Sequence, residues 1–278
     1  GCKAWKDIVL PARIQKQYVK EMLTYSIPLM PNSISWWISN SSDRYIMNIF
    51  RGLNELGIYS VSYKIPSIMA TISAILISAW EMSAVDDFGS EKSRRFFSKI
   101  YDLWVHTYII VCAGLIFFVK VLAYILFQKE FFIAWKFVPI LLFASVFSGL
   151  SSFLGTVFTA AKNTKSVFVT TMAGAGINIA LNFVLIPVWG GYGAAVATAI
   201  GYLTTFFARL VGANRIIKFE VDYKKHFIKM GLLFFMVVLS CLDSVFNYVL
   251  GITILFIERE FIVNIIKSTL EKFLKRKV

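Results

Sequence analysis

Long apolar stretches recur along almost the whole of this 278-residue chain, and they constrain its fold more than any other feature. A helix that crosses a bilayer needs about 20 mostly apolar residues. Eight stretches are candidate crossings, of which the last two are short: Met22–Ile46, Gly57–Met82, Tyr101–Phe127, Phe137–Ala161, Val167–Val188, Gly193–Val211, Phe227–Leu242 and Val245–Ile257. With 58% hydrophobic and 16% charged residues, the composition is too apolar for a soluble domain. The sequence predicts an all-α, polytopic membrane helix bundle of about eight transmembrane helices.

The basic residues favour one orientation of this bundle, because cytoplasmic loops hold the excess of Lys and Arg. With the N-terminus inside and alternating crossings, the clusters Lys3–Lys20, Lys92–Lys99, Arg215–Lys229 and Arg259–Lys277 all fall inside. The formal charge of +13 is thereby explained without nucleic acid as a partner. We expect a multi-pass protein of the bacterial cytoplasmic (inner) membrane, with membrane lipids around it.

The spacing of crossings and charges divides the chain into four segments. Residues 1–20 read as a cytoplasmic linker, 21–212 as a transporter lobe of six helices, and 213–257 as an additional two-helix hairpin. Residues 258–278 combine basic residues with apolar ones near helical spacing, which predicts an amphipathic cytoplasmic tail. The first residue is not Met, so we expect a fragment of a longer protein.

The first crossing carries more polar residues than lipid would tolerate on an outward face. Pro28 and Pro31 would kink its helix. Polar side chains recur along one side of it, namely Asn32, Ser35, Ser39, Asn40 and Ser42. The pattern is typical of a helix that lines an aqueous cavity, although ordinary interhelical hydrogen bonds would produce the same pattern.

Asp43, Arg44 and Lys64 are charged residues that lie well inside the first two crossings. An ionisable group in a membrane segment is by default a candidate for function. Lys64 is placed a turn or two into the second apolar helix, where an unpaired ammonium would be costly unless water or an anion met it. Asp43 could instead neutralise Arg44 or Lys64, so ion pairing and substrate binding both stay open.

Asn178 and Asn182 are four residues apart and therefore share one face of the fifth crossing. Gly193, Ala197 and Gly201 follow at intervals of four, a spacing that lets helix backbones approach closely. The asparagines could line a cavity or form hydrogen bonds across a helix interface.

No catalytic or metal-binding pattern accompanies these residues. The sequence has neither a nucleophile elbow nor a phosphate-binding loop. The three cysteines and two histidines share no metal-ligand spacing. We therefore expect a protein that is not an enzyme, with no catalytic residue, metal or cofactor.

Two runs of residues resemble the polysaccharide flippases of O-antigen and capsule synthesis. The first comprises Ser42–Tyr45, Gly52 and Leu56–Ile65, and the second comprises Asn178–Asn182, Pro187, Gly190 and Gly193–Thr198. The first run resembles the seventh and eighth helices of that family, which is part of the multidrug/oligosaccharidyl-lipid/polysaccharide exporter superfamily. The resemblance covers the chain from Val19 onward.

The resemblance implies that this chain is the C-terminal lobe of a two-lobed exporter. Its first partner would be the missing N-terminal lobe, and a polysaccharide polymerase would be a further partner. It implies that the substrate is an undecaprenyl-diphosphate-linked oligosaccharide for lipopolysaccharide or capsule. Arg44 and Lys64 would offset the charge of the diphosphate. The candidate substrate-binding residues are Asp43, Arg44, Lys64, Asn40, Asn178 and Asn182.

Two alternatives from the same superfamily, a multidrug extruder and a peptidoglycan-precursor flippase, would share the fold and differ in cavity chemistry. A membrane-embedded polysaccharide polymerase or glycosyltransferase would be expected to show a large outer loop or clustered carboxylates. The sequence shows neither. A truncated protein that does not transport and serves as an assembly partner is the remaining alternative.

Overall fold

The computed structural model of the chain describes residues 16–27, 29–86, 91–263 and 267, and contains helices and short connections without a strand in these ranges. The helices are α1 (Lys16–Ser26), α2 (Leu29–Ser62), α3 (Pro66–Asp86), α4 (Glu91–Phe117), α5 (Val119–Leu126), a 3-10 helix (Lys129–Lys136), α6 (Val138–Ala160), α7 (Thr164–Trp189), α8 (Gly191–Ile216), α9 (Tyr223–Cys241) and α10 (Phe246–Ile257). The prediction of an all-α membrane bundle is confirmed. Most of the predicted linker and tail lies outside the described residues.

Within the part of the chain that the structure describes, four helices are long and apolar enough to cross a membrane, which is fewer than the eight crossings predicted. They are Arg94–Phe117, Val138–Ala160, Thr164–Trp189 and Gly191–Ile216, and a fifth is added if Ile34–Ser62 and Pro66–Trp80 are counted as one bent span. The two helices of the final hairpin do not qualify. Three lysines lie in the first seven residues of α9, and α10 has only 12 residues.

Helix α6 lies at the centre of the bundle and packs against α3, α4, α8 and α9. The apolar stretch of α6 that could cross the membrane is 78% buried inside the bundle, whereas the corresponding stretch of α7 is 33% buried. The difference places α6 in the core and leaves one side of α7 to face lipid. Helices α7 and α8 pack closely side by side, and α2 packs against both.

Helix α2 is divided into two arms by Gly52, which has φ 80° and ψ 178°. The Tyr59 hydroxyl donates a hydrogen bond to Asp43 at 2.8 Å. The two residues are 16 positions apart, which is about 24 Å along a straight helix. The chain must therefore fold back at Gly52, so that residues 29–51 (the first arm) and 53–62 (the second arm) lie side by side.

A short break separates α2 from α3 at residues 63–65, with a bend of 46°. Pro66 is the first residue of α3, and the residue before a proline is disfavoured in the α conformation. The sequence thus interrupts the second predicted crossing, Gly57–Met82, a few residues after it begins. Beyond the break, Pro66, Ser67, Ala70 and Ser73 lie on the side of α3 that faces α6.

The turn between α7 and α8 is held against α2 by Glu55. Gly190 has φ 53°, and the backbone N–H of Gly191 donates to the Glu55 carboxylate at 2.8 Å. Arg51 pairs with the same carboxylate at 3.2 Å. A carboxylate at a helix N-terminus is favourable because it meets unsatisfied N–H groups and the positive end of the dipole.

Helix α8 ends at Ile216, slightly past the predicted lobe boundary at 212. The division of the chain into four segments stays a prediction.

Candidate functional site

A cavity of about 590 Å³ lies between α2, α3, α6 and α8. Its lining combines aromatic rings, hydroxyl groups and one guanidinium: Trp36, Arg44, Tyr63, Pro66, Ser67, Ala70, Ser73, Leu141, Ala144, Ser145, Ser148, Ser152, Thr198 and Tyr202. Ligand cavities usually range over about 300–1,000 Å³. The cavity is therefore large enough for a small polar molecule or for the head group of a larger one.

Three serines of α6 form the polar wall of this cavity. Ser145, Ser148 and Ser152 are partly exposed, whereas nearly every other residue in the middle of α6 is buried. Ser145 and Ser152 donate their hydroxyl protons to backbone carbonyls one turn back, at 2.8 and 3.0 Å. Their oxygens keep lone pairs that can accept hydrogen bonds from a ligand. The sequence analysis did not select these serines, although their spacing of three and four residues in an apolar helix was a readable signal.

Aromatic rings form the rest of the wall. The rings of Trp36 and Tyr202 lie 5.6 Å apart between α2 and α8. Tyr63 contributes a third ring at the break before α3. Rings of this kind present an apolar face and a polar edge, and they line the same cavity as the serines. The cavity is thus amphipathic.

Arg44 is the cation that faces the cavity. Its guanidinium lies 5.2 Å from the centre of the Tyr63 ring, and its side chain is exposed. No ion pair involves Arg44 among the residues that the structure describes. Its charge is therefore available to an anionic group that enters the cavity.

Asp43 occupies a different position from its neighbour, because it is fully buried between the two arms of α2. One carboxylate oxygen accepts the hydroxyl protons of Tyr59 and Tyr63, at 2.8 and 2.9 Å. The other oxygen accepts the backbone N–H of Arg44 at 2.8 Å. Asp43 therefore holds two lining residues, Arg44 and Tyr63, in place and does not itself line the cavity.

Lys64 lies apart from the cavity. It sits in the break between α2 and α3, so the prediction that it lies a turn or two into a continuous helix is wrong. Pro66 is the physical reason, since it ends the preceding helix. The Lys64 ammonium donates to the carbonyl of Leu126, the last residue of α5, at 3.4 Å. A cation at the C-terminus of a helix is favourable because it meets the negative end of the helix dipole.

The side chain of Asn40, another predicted site residue, lies outside the described part of α2.

Asn178 and Asn182 are buried at the interface of α2, α7 and α8. The amide of Asn182 donates to Asn178 at 3.2 Å, and the Ser42 hydroxyl donates to the same Asn178 oxygen at 3.2 Å. The Asn178 amide approaches Thr198 of α8 at 3.5 Å. The contacts of Asn178 with Ser42 and Thr198 are interhelical hydrogen bonds, the second of the two roles left open by the sequence, whereas the bond between the two asparagines lies within α7. Their role in substrate binding stays a prediction.

Arg209 is a residue that the sequence analysis did not single out. It is 2% exposed and donates to the Ser151 carbonyl at 2.7 Å and to the Thr171 and Thr170 hydroxyls at 2.8 and 3.2 Å. Its guanidinium also lies 5.9 Å from the Trp36 ring. It connects α6, α7 and α8 behind the cavity wall. A signal was present, because Arg209 lies within the predicted crossing Gly193–Val211, but its place near the end of that crossing makes it read as a cytoplasmic flank.

No group of three His, Cys, Asp or Glu side chains that could hold a metal ion occurs in the described ranges. What the cavity offers is binding: hydroxyl acceptors and donors, aromatic faces and a positive charge within a membrane bundle.

Comparison with known proteins gives two matches. The model of a family described as "Polysaccharide biosynthesis protein" matches residues 2–80, a segment that contains Asp43, Arg44 and the α2 hairpin. An uncharacterized membrane protein of Methanocaldococcus jannaschii is 24% identical over 288 aligned positions, which cover 94% of this chain and 55% of that protein. The chain thus spans about half the length of the curated relative it matches. No solved structure matches. The chain is a multi-pass membrane protein whose first part is similar to polysaccharide biosynthesis proteins.

Proposed function

We propose that this chain is one lobe of a flippase that moves lipid-linked oligosaccharides across the cytoplasmic membrane for surface polysaccharide synthesis. The carrier lipid is defined by its chemistry, a diphosphate on a long apolar chain, which is undecaprenyl diphosphate in a bacterium. Residues outside this chain would complete the path as the N-terminal lobe. The substrate polymer would be an O-antigen, capsule or other surface polysaccharide.

The observation that carries the proposal is the lining of the cavity between α2, α3, α6 and α8. An oligosaccharide presents hydroxyls on its edges and C–H groups on its faces. Serine and threonine hydroxyls of the cavity can form hydrogen bonds with the sugar hydroxyls. The rings of Trp36, Tyr63 and Tyr202 can pack against the C–H faces. A drug extruder would need a more apolar wall than one with five serines.

Arg44 supplies the charge that a diphosphate needs. Moving a doubly charged group through a low-dielectric region is costly unless an opposite charge accompanies it. A guanidinium can bind phosphate oxygens in a bidentate manner. Asp43 and the two tyrosines fix its backbone without using its side chain, which leaves the guanidinium for the cargo.

The experiment is translocation of a labelled lipid-diphosphate oligosaccharide by the full-length protein in liposomes. We expect Arg44→Gln to lower the initial rate at least tenfold, about 1.4 kcal/mol of lost cargo stabilisation. Arg44→Lys should retain part of the rate, because it keeps the charge and loses the bidentate geometry. Arg95→Gln is the matched control, since Arg95 is 80% exposed at the start of α4, away from the cavity.

Four outcomes would count against the proposal or a part of it. A normal rate with Arg44→Gln contradicts the assignment of Arg44. Equal transport of a lipid diphosphate that carries no sugar would contradict a role of the hydroxyl wall in sugar recognition. Transport of an amphipathic cationic dye in place of the lipid-linked sugar would favour the multidrug alternative, and lengthening of the glycan would favour a polymerase or glycosyltransferase.

A further inference from the structure

A second, smaller cavity, which we call the aromatic pocket, lies between α4, α6, α8 and α9. It has a volume of about 60 Å³ and a lining of mostly aromatic and aliphatic side chains: Tyr101, Phe147, Phe206, Phe207, Leu210, Tyr223, His226, Phe227 and Met230. It shares no lining residue with the larger cavity. A sugar would find few hydrogen-bond partners in the aromatic pocket, whereas an apolar chain would bury its surface there.

Two exposed rings form the rim of the aromatic pocket. The rings of Phe207 on α8 and Phe227 on α9 lie 6.1 Å apart and nearly parallel, at an angle of 6°. Phe207 is 43% exposed and Phe227 is 48% exposed, so both rings lie at the surface of the bundle. The pocket is therefore open to the acyl chains of the surrounding bilayer.

One polar atom of the aromatic pocket lacks a partner. Nδ1 of His226 is buried and has no hydrogen bond within the part of the chain that the structure describes. The residue as a whole is 8% exposed. Buried polar atoms are normally satisfied by protein groups or by water. The pocket is therefore incomplete without an occupant that brings a polar group or a water molecule with it.

The connection between α8 and α9, residues 217–222, adjoins the aromatic pocket at the first residue of α9. Its two acidic residues are already paired. Glu220 binds Arg94 of α4, and Asp222 binds Lys225 at 3.3 Å. The remaining basic residues of this region therefore have no acidic partner in the connection itself.

Two of these basic residues are held at the same end of the aromatic pocket. Lys218 and Lys224 are exposed, and neither forms an ion pair among the described residues. The side-chain oxygen of Asn214 accepts the backbone N–H of Phe219 at 3.1 Å and the hydroxyl proton of Tyr223 at 3.4 Å. Because Phe219 follows Lys218 and Tyr223 precedes Lys224, this oxygen places both lysines near the part of the pocket that Tyr223 lines.

Positive charge and apolar surface follow one another along α9 in the order that a phospholipid requires. Tyr223 is the first residue of α9, and Met230 lies seven residues further, about 10 Å along the helix axis. The excess of basic residues predicts that this end faces the cytoplasm, where anionic lipids give the membrane surface a negative potential. Basic residues beside a pocket between membrane helices are typical of binding sites for anionic lipid head groups.

We propose that the aromatic pocket binds an acyl chain of an anionic glycerophospholipid whose phosphate is held by Lys218 and Lys224. The chain buries apolar surface between the four helices, and the phosphate offsets the charge of the two lysines. A free phosphate would meet the lysines but leave the pocket empty. A zwitterionic phospholipid would fill the pocket but bring a cation toward the lysines. The site lies outside the larger cavity, so the inference does not depend on the cargo.

Native mass spectrometry of the full-length protein in detergent micelles tests the head group. Phosphatidylglycerol and phosphatidylcholine with identical chains compete at equal concentration, and we expect the wild type to bind phosphatidylglycerol at least about fivefold more tightly. The double variant Lys218→Gln/Lys224→Gln should lose most of this preference. Lys129→Gln/Lys136→Gln is the matched control, because it removes the same charge from exposed residues of the 3-10 helix beyond the other end of α4. It should keep the preference of the wild type.

A second pair of variants tests the aromatic pocket itself. In Leu210→Trp an indole ring takes up space in the pocket, so the binding of both lipids should fall at least about threefold. Val211→Trp is its matched control. Val211 is the next residue of α8, is exposed and does not line the pocket. This variant should bind both lipids as the wild type does.

Equal binding of the two lipids by the wild type overturns the proposal. So does an equal loss of preference in the two lysine double variants, because net charge alone would then account for it. Full binding by a Leu210→Trp variant that elutes as the wild type does overturns the aromatic pocket as the site. Displacement of phosphatidylglycerol by an equal concentration of inorganic phosphate contradicts a role of the acyl chain. Transport is not measured, so these results are independent of the proposed flippase activity.

Discussion

The hydroxyl of Tyr63, the first residue after α2, donates a hydrogen bond to Asp43 at 2.9 Å, across 20 positions of the chain. This contact closes the two arms of α2 on each other and places Tyr63 at the break before α3. It also places Arg44, the next residue after Asp43, beside the Tyr63 ring. One buried carboxylate thus organises the charged end of the cavity.

Asp43→Asn should destabilise the protein, since an amide cannot accept three hydrogen bonds on its oxygen and presents donors to the tyrosine hydroxyls. We expect a loss of about 1–3 kcal/mol in the free energy of unfolding, seen as a lower melting temperature in detergent. Asp222→Asn, at an exposed carboxylate, should leave the melting temperature unchanged. Wild-type stability of Asp43→Asn together with complete loss of transport would instead assign Asp43 a direct contact with the cargo.

Gly52→Ala should also destabilise the fold, for a reason confined to the backbone. No atom lies within 4 Å of a Cβ built at Gly52, but its φ of +80° is a conformation that L-residues rarely adopt. The strain should cost about 1–3 kcal/mol by thermal unfolding. Gly176→Ala is the matched control in α7, where space is equally open, and it should stabilise by up to about 1 kcal/mol. Equal effects of the two substitutions would argue against a chain reversal at Gly52.

Arg209→Gln should lower stability by about 2–3 kcal/mol, because it leaves buried hydrogen-bond acceptors on α6 and α7 without their donor. Arg215→Gln removes an exposed arginine from the end of the same helix and should have little effect. Thermal unfolding of the two purified variants checks this. If Arg209→Gln melts with the wild type, Arg209 does not hold α6, α7 and α8 together.

The serine wall of the cavity can be mapped without a transport assay. In a cysteine-free background, Ser145→Cys, Ser148→Cys and Ser152→Cys should react with a membrane-impermeant maleimide, because these side chains face a water-accessible cavity. Ser151→Cys should stay unlabelled, since Ser151 is fully buried next to Arg209. Labelling of all four positions to the same extent would mean that α6 does not present one polar face.

The membrane class could be predicted from the sequence, and so could Arg44 as a residue of interest. The apolar runs predict the helices. An isolated charge in a membrane segment, such as that of Arg44, is a candidate for function even when its neighbours in the fold are unknown. Lys64 was misplaced because the effect of Pro66 on the preceding turn was not weighed. The cavity serines were overlooked because a serine in an apolar helix can equally bond to its own backbone.

The sequence by itself determined that this chain is a helical membrane bundle, because the free energy of placing apolar side chains and satisfied helical backbone in lipid depends on local composition. Only the tertiary structure decided which polar residues act together. Asp43 meets Tyr59 and Tyr63, and His106 meets Glu258 from 152 positions away. Such pairings depend on how helices pack, and packing is set by side-chain fit over the whole bundle and not by any local pattern.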